Sequence, residues 1–412
     1  MSAAWTDPHP ADALLTQAAD RFGTPAYVYF ADAIAARLAD LSAHLGRWFD
    51  LSYAMKCNPN PALLAWLAPR VPFLDVSSGG EFARARAAGW DAGRIGFTGP
   101  AKREAEIAAA LSAGLGDLVI ESLREARIAD ALARGMGRVQ DVLIRLAPAR
   151  VPKGFGDQMA GRPSPFGIDA EDAAQVVPQI LALPGLRVTG LHIYSGTQCL
   201  RTQAIVENWR LFIDLFDRVA ADHGLRPGRL VFGSGLGIPY HPGDVALDLA
   251  QVAAGIAPDL ATLRRHPRLG QARLVLELGR HLVGQAGYFV TRVVSTKTSR
   301  GVRIALCDGG LNAHLAATGQ FGMVLRRNYL MHRVGGGAGL ERVDLTGPLC
   351  TSIDRLAGGV DLPPLAEGDL IAIHASGAYG YTASPRDFIG HPHPRELWVQ
   401  DGRIADVTPP GA

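Results

Sequence analysis

Short apolar runs alternate with alanine-rich helical stretches from about residue 25 to residue 280. The runs are Ala26-Tyr-Val-Tyr-Phe30, Leu51-Ser-Tyr-Ala-Met55, Phe73-Leu-Asp-Val76, Ile95-Gly-Phe97, Leu118-Val-Ile120, Val142-Leu-Ile-Arg-Leu146, Val188-Thr-Gly-Leu-His-Ile193, Leu230-Val-Phe232 and Leu274-Val-Leu276. Helical spacing falls between them over 61–67, 80–88, 104–111 and 202–223. Continuous apolar strands separated by helices describe βαβ units around a parallel sheet. The repeat count predicts an α/β chain with an eight-stranded (β/α)8 TIM-like barrel, a doubly wound sheet being the alternative. After Gly279 the texture changes to β-branched and aromatic runs, Tyr288 to Val294, Val302 to Leu306, Leu370 to Ile373 and Glu396 to Val399, with Gly and Pro clusters between them. Few helical segments intervene, so this part predicts an antiparallel β-domain. Gly335-Gly-Gly-Ala-Gly339 reads as a flexible loop.

Composition narrows the function. With 412 residues the chain suits one large domain and a smaller one. A hydrophobic fraction of 48% against 19% charged supplies ample core. Lys+Arg 41 against Asp+Glu 39 leaves a net +2 with no basic run, which argues against nucleic acid and for small-molecule chemistry. The amino terminus carries no basic start before an apolar core, and no run of about 18 apolar residues occurs, so a cytoplasmic location without membrane association is expected. Cys57, Cys199, Cys307 and Cys350 lack the close paired spacing of a zinc site, and no metal is expected.

Candidate chemistry gathers at the ends of the apolar runs. Lys56 stands where a strand gives way to a turn, since Pro59 and Pro61 forbid helix directly after Asn58. That is where α/β barrels place functional groups. Gly233-Ser-Gly-Leu-Gly237 follows the strand Leu230-Val-Phe232, the position required of a backbone phosphate cradle, although by itself such a loop reads more simply as a plain turn. Glu277 follows Leu274-Val-Leu276, and an acid there needs a partner. His192 and Asp75 also close apolar strands; a satisfied core histidine and a helix-capping aspartate are the competing readings.

The string Tyr53-Ala-Met-Lys56-Cys-Asn-Pro59 resembles the Schiff-base lysine motif of the fold-type III pyridoxal-phosphate decarboxylases, the ornithine and diaminopimelate decarboxylase family. Further matches follow in that family's order: Asp75-Val-Ser-Ser-Gly-Gly-Glu81, His192-Ile-Tyr-Ser195-Gly-Thr-Gln198, Gly233-Ser-Gly235-Leu-Gly237, Glu277-Leu-Gly279-Arg280, Gly347-Pro-Leu-Cys350-Thr351-Ser-Ile-Asp354 and Gly377-Ala-Tyr379. The resemblance implies an alanine racemase-like architecture, with residues 1–28 packing on the β-domain, a cofactor-binding barrel over 29–280 and a carboxyl-terminal β-barrel domain over 281–412. It implies pyridoxal 5'-phosphate as cofactor and an amino-acid decarboxylase working through a Schiff base and quinonoid. Lys56 would carry the cofactor, whose aldehyde requires a partly desolvated, neutral amine. Glu277 would pair with the pyridine nitrogen and His192 would stack on the ring, with Asp75 nearby. Ser195, Gly233, Gly235, Gly237, Gly279, Arg280 and Tyr379 would serve the cofactor, chiefly its phosphate. Cys350 would protonate the product carbon at the partner subunit's cofactor, which makes the expected assembly a homodimer with shared sites. Thr351 and Asp354 would meet substrate.

Two departures from the family bear on substrate. The residue after the cysteine is acidic in ornithine and diaminopimelate decarboxylases and reads a distal ammonium; here it is Thr351, which cannot neutralise one. Asp308-Gly-Gly-Leu-Asn312-Ala-His314 also replaces the diaminopimelate-type Arg-Pro-x-Leu-Tyr string. The variant strings resemble a secondary-metabolism branch that includes the glutamyl-carrier decarboxylase of butirosin biosynthesis. The expected substrate is an L-amino acid or derivative, free or carrier-tethered, whose far end is not an ammonium. Diaminopimelate decarboxylation, a racemase and a non-catalytic homologue are the alternatives, and a glutamate at 277 favours decarboxylase over racemase. His314, His391 and His393 receive no role.

Overall fold

The computed structural model describes residues 6–321, 323 and 325–409. Residues 1–5 of the expected amino-terminal segment, and 322, 324 and 410–412 of the expected carboxyl-terminal domain, lie outside them. The chain forms two compact units, Leu38–Gly237 with Ala246–Gly279, and Met1–Arg37 with Ile238–Val245 and Arg280–Ala412.

The first unit is a closed parallel barrel. Its strands are Asp50–Ala54, Phe73–Val76, Ile95–Phe97, Asp117–Ile120, Gln140–Ala147, Leu186–Ile193, Arg229–Gly233 and Arg273–Leu278. Each pairs in parallel with the next, and Asp50–Ala54 closes the ring by pairing with Arg273–Leu278. A two-residue strand, Ile168–Asp169, pairs with Gln140–Ala147 outside the ring. Helices follow where polar caps permit: Asn60, Ser78, Ser122 and Asp248 each accept a backbone N–H of the first turn of the helix they start. The longest, Thr202–Asp222, buries Trp209, Phe212 and Phe216, and all three rings pack on Phe232 of the seventh strand. Burial of each such ring is worth about 2–3 kcal/mol.

The two ends of the barrel differ. Five strands open with Asp50, Phe73, Asp117, Arg229 and Arg273. The Arg229 and Arg273 guanidinium carbons sit 4.5 and 4.6 Å from the Phe73 ring centroid, and they pair with Asp117 and Asp50 respectively. Above this plug Val119, Leu143, Val231 and Val275 form an apolar layer. The functional candidates lie at the carboxyl ends.

The second unit is a mixed sheet. Ala26–Phe30 pairs antiparallel with Gly287–Ser299 and parallel with Arg395–Gln400. Val302–Cys307 pairs antiparallel with Gly287–Ser299 and parallel with Glu341–Thr346; the remaining pairings are antiparallel. Ala26–Phe30, grouped with the barrel rhythm in the sequence, therefore belongs to the other sheet. Its first four residues are all buried, so it shows the same unbroken apolar run as a barrel strand and periodicity cannot separate the two.

Gly335–Gly339 is a held turn rather than a flexible loop. Gly336 and Gly337 donate to Arg333 O and Thr6 O, and Gly335 N–H donates to Asp12 Oδ2 at 2.8 Å. His9, Asp12 and His332 bring ligand-type atoms within 4.8 Å of one another. Asp12, His332 and His374 are joined as a hydrogen-bonded relay, His332 Nε2 to Asp12 Oδ1 at 2.7 Å and His332 Nδ1 to His374 Nε2 at 2.8 Å, and the His9 backbone N–H donates to Asp12 Oδ2 at 2.9 Å. Burial lowers the pKa of His332, and lowers that of His374 to about 2. The relay ties the helix Asp12–Phe22 to the strands Met331–Arg333 and Leu370–Ile373.

Candidate active site

Five consecutive strands of the closed ring deliver the candidates: His192, Gly233, Glu277, Lys56 and Asp75 lie at or just after the carboxyl ends of the sixth, seventh, eighth, first and second strands. Register places Ala54 beside Asp75 and Gly233 beside Glu277. Lys56 is carried by a single 3-10 turn, Met55–Cys57. Tyr53 fixes that turn, its hydroxyl donating to Asn58 O at 2.9 Å and accepting from Cys57 Sγ at 3.2 Å. Asn58 Oδ1 in turn accepts Asn60 N–H. A Cβ on Gly279 would stand 2.7 Å from Cys57 Sγ, so the eighth strand ends closely against the lysine turn.

Inside the mouth, His192 Nε2 meets Glu277 Oε2 at 3.0 Å, and the two residues are 1% and 3% exposed. Asp75 Oδ1 accepts from Thr98 Oγ1 at 2.7 Å. His192, Glu277 and Asp75 line one cavity of about 30 Å³, space for a water or two. Two buried polar atoms here, Asp75 Oδ2 and His192 Nδ1, meet no hydrogen-bond partner among the described residues.

The two carboxyl groups are driven apart electrically. Burial, reinforced by the charge of Glu277, raises the Asp75 carboxyl well above its usual range, against the pull of Lys56 and Thr98. Burial also opposes ionisation of Glu277, but the His192 hydrogen bond and charge, Lys56 and Arg145 outweigh it and hold Glu277 below its usual range. One acid is thus favoured neutral and its neighbour ionised, the arrangement that separates roles in a site. Lys56 acts on both and also on Glu81.

The glycine loop owes its glycines to close packing. A Cβ on Gly233 would lie 2.5 Å from Tyr194 Cδ2. Gly235 combines φ +69° with Phe155 Cε1 at 2.5 Å from the place of a Cβ, so no other residue fits there without rearrangement. The Gly237 amide donates to Cys199 O and the Ser234 amide to Glu277 O, so these two donors are committed within the protein. Ser195 Oγ donates to Asn208 Oδ1 at 2.9 Å, both residues being fully buried.

In the second unit Arg280 opens the short helix Arg280–Val283. Its Nη1 donates to Tyr240 OH at 3.0 Å, and its guanidinium carbon lies 4.7 Å from the Tyr379 ring centroid. Arg280 Nε is buried and meets no partner among the described residues. Tyr379 has φ +56°, a left-handed conformation rare for a bulky residue and costing on the order of 1–3 kcal/mol. Cys350 is exposed in the turn after Glu341–Thr346. Asp354, expected to meet substrate, is 3% exposed and both its oxygens are taken: Oδ1 accepts Leu311 N–H at 2.6 Å and Oδ2 accepts Leu349 N–H at 2.8 Å. It shapes the turn that presents Cys350 and half-buried Thr351.

Sequence reasoning missed a buried polar network on the barrel. Arg145 Nη1 lies 3.0 Å from both Glu121 oxygens, and Lys102 pairs with Glu125 and donates to Val119 O at 2.7 Å. Gly99 and Gly167 amides also donate to Glu121. The signal was an arginine inside the apolar run Val142-Leu-Ile-Arg-Leu146, a buried charge that demands a partner. His314, which had no role, is buried, its pKa lowered to about 3, and hydrogen-bonds Ser376 Oγ at 2.9 Å.

Comparison with known proteins identifies the family and the fold. Residues 31–284 match the family model described as pyridoxal-dependent decarboxylase, pyridoxal binding domain. The L-glutamyl-[BtrI acyl-carrier protein] decarboxylase of Niallia circulans is 33% identical over 94% of this chain and 91% of its own length. A diaminopimelate decarboxylase of Actinosynnema pretiosum subsp. auranticum is 33% identical over 94% of this chain and 86% of its own. The crystal structure of diaminopimelate decarboxylase from Helicobacter pylori complexed with L-lysine superposes with a TM-score of 0.84 at 25% identity, covering 95% of each chain.

Proposed function

This chain belongs to the pyridoxal-dependent decarboxylases, and from that premise we propose that it removes the α-carboxylate of an L-amino acid whose far end carries no free ammonium, the substrate class being an aminoacyl group tethered to a carrier protein. It is an amino-acid decarboxylase, a carboxy-lyase, and pyridoxal 5'-phosphate is its cofactor. The residues fit that group. Buried polar atoms of Asp75 and His192 meet no partner among the described residues, as expected where a cofactor supplies them, and an arginine such as Arg280 suits a phosphate.

When bound, the cofactor supplies the electron sink for the pair left as carbon dioxide departs. Lys56 is the amine that holds it. Glu277, ionised and oriented by His192, favours the protonated pyridine nitrogen. Asp75, favoured neutral, offers a proton donor beside it. Ser195, the Gly233–Gly237 loop, Gly279, Arg280 and Tyr379 bind and orient the phosphate end. The exposed Cys350 thiol carries a proton to the product carbon in a partner subunit's site, so the working unit is a homodimer, and Thr351 faces the far end of the substrate.

The observation that carries this reading is the buried Glu277–His192 pair at the barrel mouth, with Lys56 just after the first strand and Asp75 at the end of the second. The substrate class is supported by Thr351 and by likeness to an enzyme acting on glutamyl carrier protein. Diaminopimelate decarboxylation is the competing reading, supported by the equal identity to the Actinosynnema enzyme. Mass spectrometry of products from a panel of free and carrier-tethered L-amino acids decides between them. Loss of carbon dioxide from tethered substrate with poor turnover of free meso-diaminopimelate is expected, and efficient turnover of the latter would return the chain to lysine synthesis.

A further inference from the structure

Tyr194 lies in the motif His192-Ile-Tyr-Ser195 and has no part in the assignments above. It follows the sixth strand directly, between two fully buried residues, and is itself half-buried. Lys56 Nζ stands 5.3 Å from its ring centroid, over the face. Gly233 stands close against the same residue: a Cβ there would meet Tyr194 Cδ2, Cγ and Cα at 2.5, 2.6 and 2.8 Å, so the glycine leaves the space that the tyrosine fills. We propose that Tyr194 is a positioning residue for Lys56, its ring face steadying the lysine ammonium at the barrel mouth, with Gly233 glycine so that the ring can take that place. The inference rests on the reading of Lys56 as the cofactor lysine.

The groups that face Lys56 make such a residue necessary. Asp75 from the second strand, Glu81 from the helix Gly79–Ala87 and Glu277 from the eighth strand all act on it, and His192 is engaged by Glu277. A ring face attracts an ammonium by its quadrupole without offering a charge or an acceptor atom, and its pull is about one-half to two kcal/mol, depending on solvent access. That is weak enough to yield when Lys56 bonds the cofactor and strong enough to return the amine to one direction when it is released.

Competitive acetylation of the full-length, cofactor-stripped chain across a pH series, read by peptide mass spectrometry, measures the protonation of Lys56 directly. Exposed Lys153 and Lys297 serve as references, and buried Lys102 reports unfolding. Tyr194→Leu is expected to raise Lys56 labelling at neutral pH about three- to tenfold, while Tyr194→Phe, which keeps the ring, stays within about twofold of the parent. Should the Leu variant expose Lys102, Gly233→Ala decides, since it displaces the ring and is expected to give the same increase. An unchanged Lys56 profile overturns the inference, as does a Phe variant that behaves like Leu, which would transfer the effect to the hydroxyl. Borohydride trapping of the holoenzyme separates the two layers. With the cofactor fixed on Lys56 and labelling unchanged, this inference alone falls; with the cofactor fixed on another lysine, the reading of Lys56 falls as well.

Discussion

The two ends of the barrel are built from similar residue types and put them to opposite uses. At the amino-terminal end Arg229 and Arg273 each have an aspartate partner, and both guanidinium groups flank one ring, Phe73. At the carboxyl-terminal end Asp75 Oδ2 and His192 Nδ1 are buried without a partner among the described residues. A matched set of charges lowers the energy of the fold, whereas unmatched buried polar atoms raise it and persist where a ligand completes them. Under the proposed function, stability is concentrated at one end of the strands and chemistry at the other, as parallel barrels generally arrange it.

Substitutions at the two ends should therefore separate turnover from stability. The largest expected effect is that of Glu277→Gln, which should keep its cofactor while kcat falls by about 100-fold or more, since the neutral amide no longer favours the protonated ring nitrogen. Parental turnover in that variant, checked by carbon dioxide release, would remove Glu277 from the chemistry. Arg229→Ala does the reverse: Asp117 is left largely buried without its cation, at a cost of about 2–3 kcal/mol and on the order of 5–10 °C in Tm. Its kcat per folded molecule should match the parent, and a loss of turnover at unchanged Tm would contradict the division.

A third effect is a pH dependence of opposite sign at two neighbouring acids. The Asp75 carboxyl is raised, so its contribution to stability is full below the ordinary carboxylate range and is lost as pH climbs from about 3.9 through the raised folded value. The Glu277 carboxyl is lowered, so its contribution is present above about 4.3 and lost as pH falls through the depressed folded value. Asp75→Asn removes the first term, and in the cofactor-stripped chain it should raise Tm relative to the parent at neutral pH but not below about pH 4. Equal Tm differences at both pH values would show that Asp75 is not held neutral by the fold.

The smallest expected effects concern the carboxyl-terminal half of the chain. Thr351→Glu should improve kcat/KM on a diamino acid by about tenfold, since a carboxylate restores one charge-paired contact to a distal ammonium. Mixed dimers of Lys56→Ala and Cys350→Ala should recover some turnover, because one hybrid site then carries both intact residues. Absence of recovery in mixed dimers would argue against shared sites.

Much of this was legible in the sequence because parallel barrel strands are buried on both faces and read as unbroken apolar runs. The eight barrel strands and the placing of Lys56, Asp75, His192 and Glu277 at their carboxyl ends follow from that pattern together with the ordered motifs. The same property put Ala26–Phe30 in the barrel's rhythm, whereas it lies in the other sheet, on which the amino-terminal segment was expected to pack. What stayed hidden depends on contacts distant in sequence. One Asp354 carboxylate oxygen is taken by the amide of Leu311, 43 residues away. Arg145 finds Glu121 from the neighbouring strand, and the glycines at 233 and 235 answer to Tyr194 and Phe155. No local pattern encodes such pairings.

The central claim is that the carboxyl-terminal end of the barrel is a cofactor site organised around Lys56. Borohydride reduction of the purified holoenzyme, followed by peptide mapping, tests it most directly. The account predicts a single pyridoxyl-modified peptide, with the label on Lys56 between Tyr53 and Asn60. A label on Lys102, Lys153 or Lys297, or a protein that yields no reduced adduct while still releasing carbon dioxide, would contradict it.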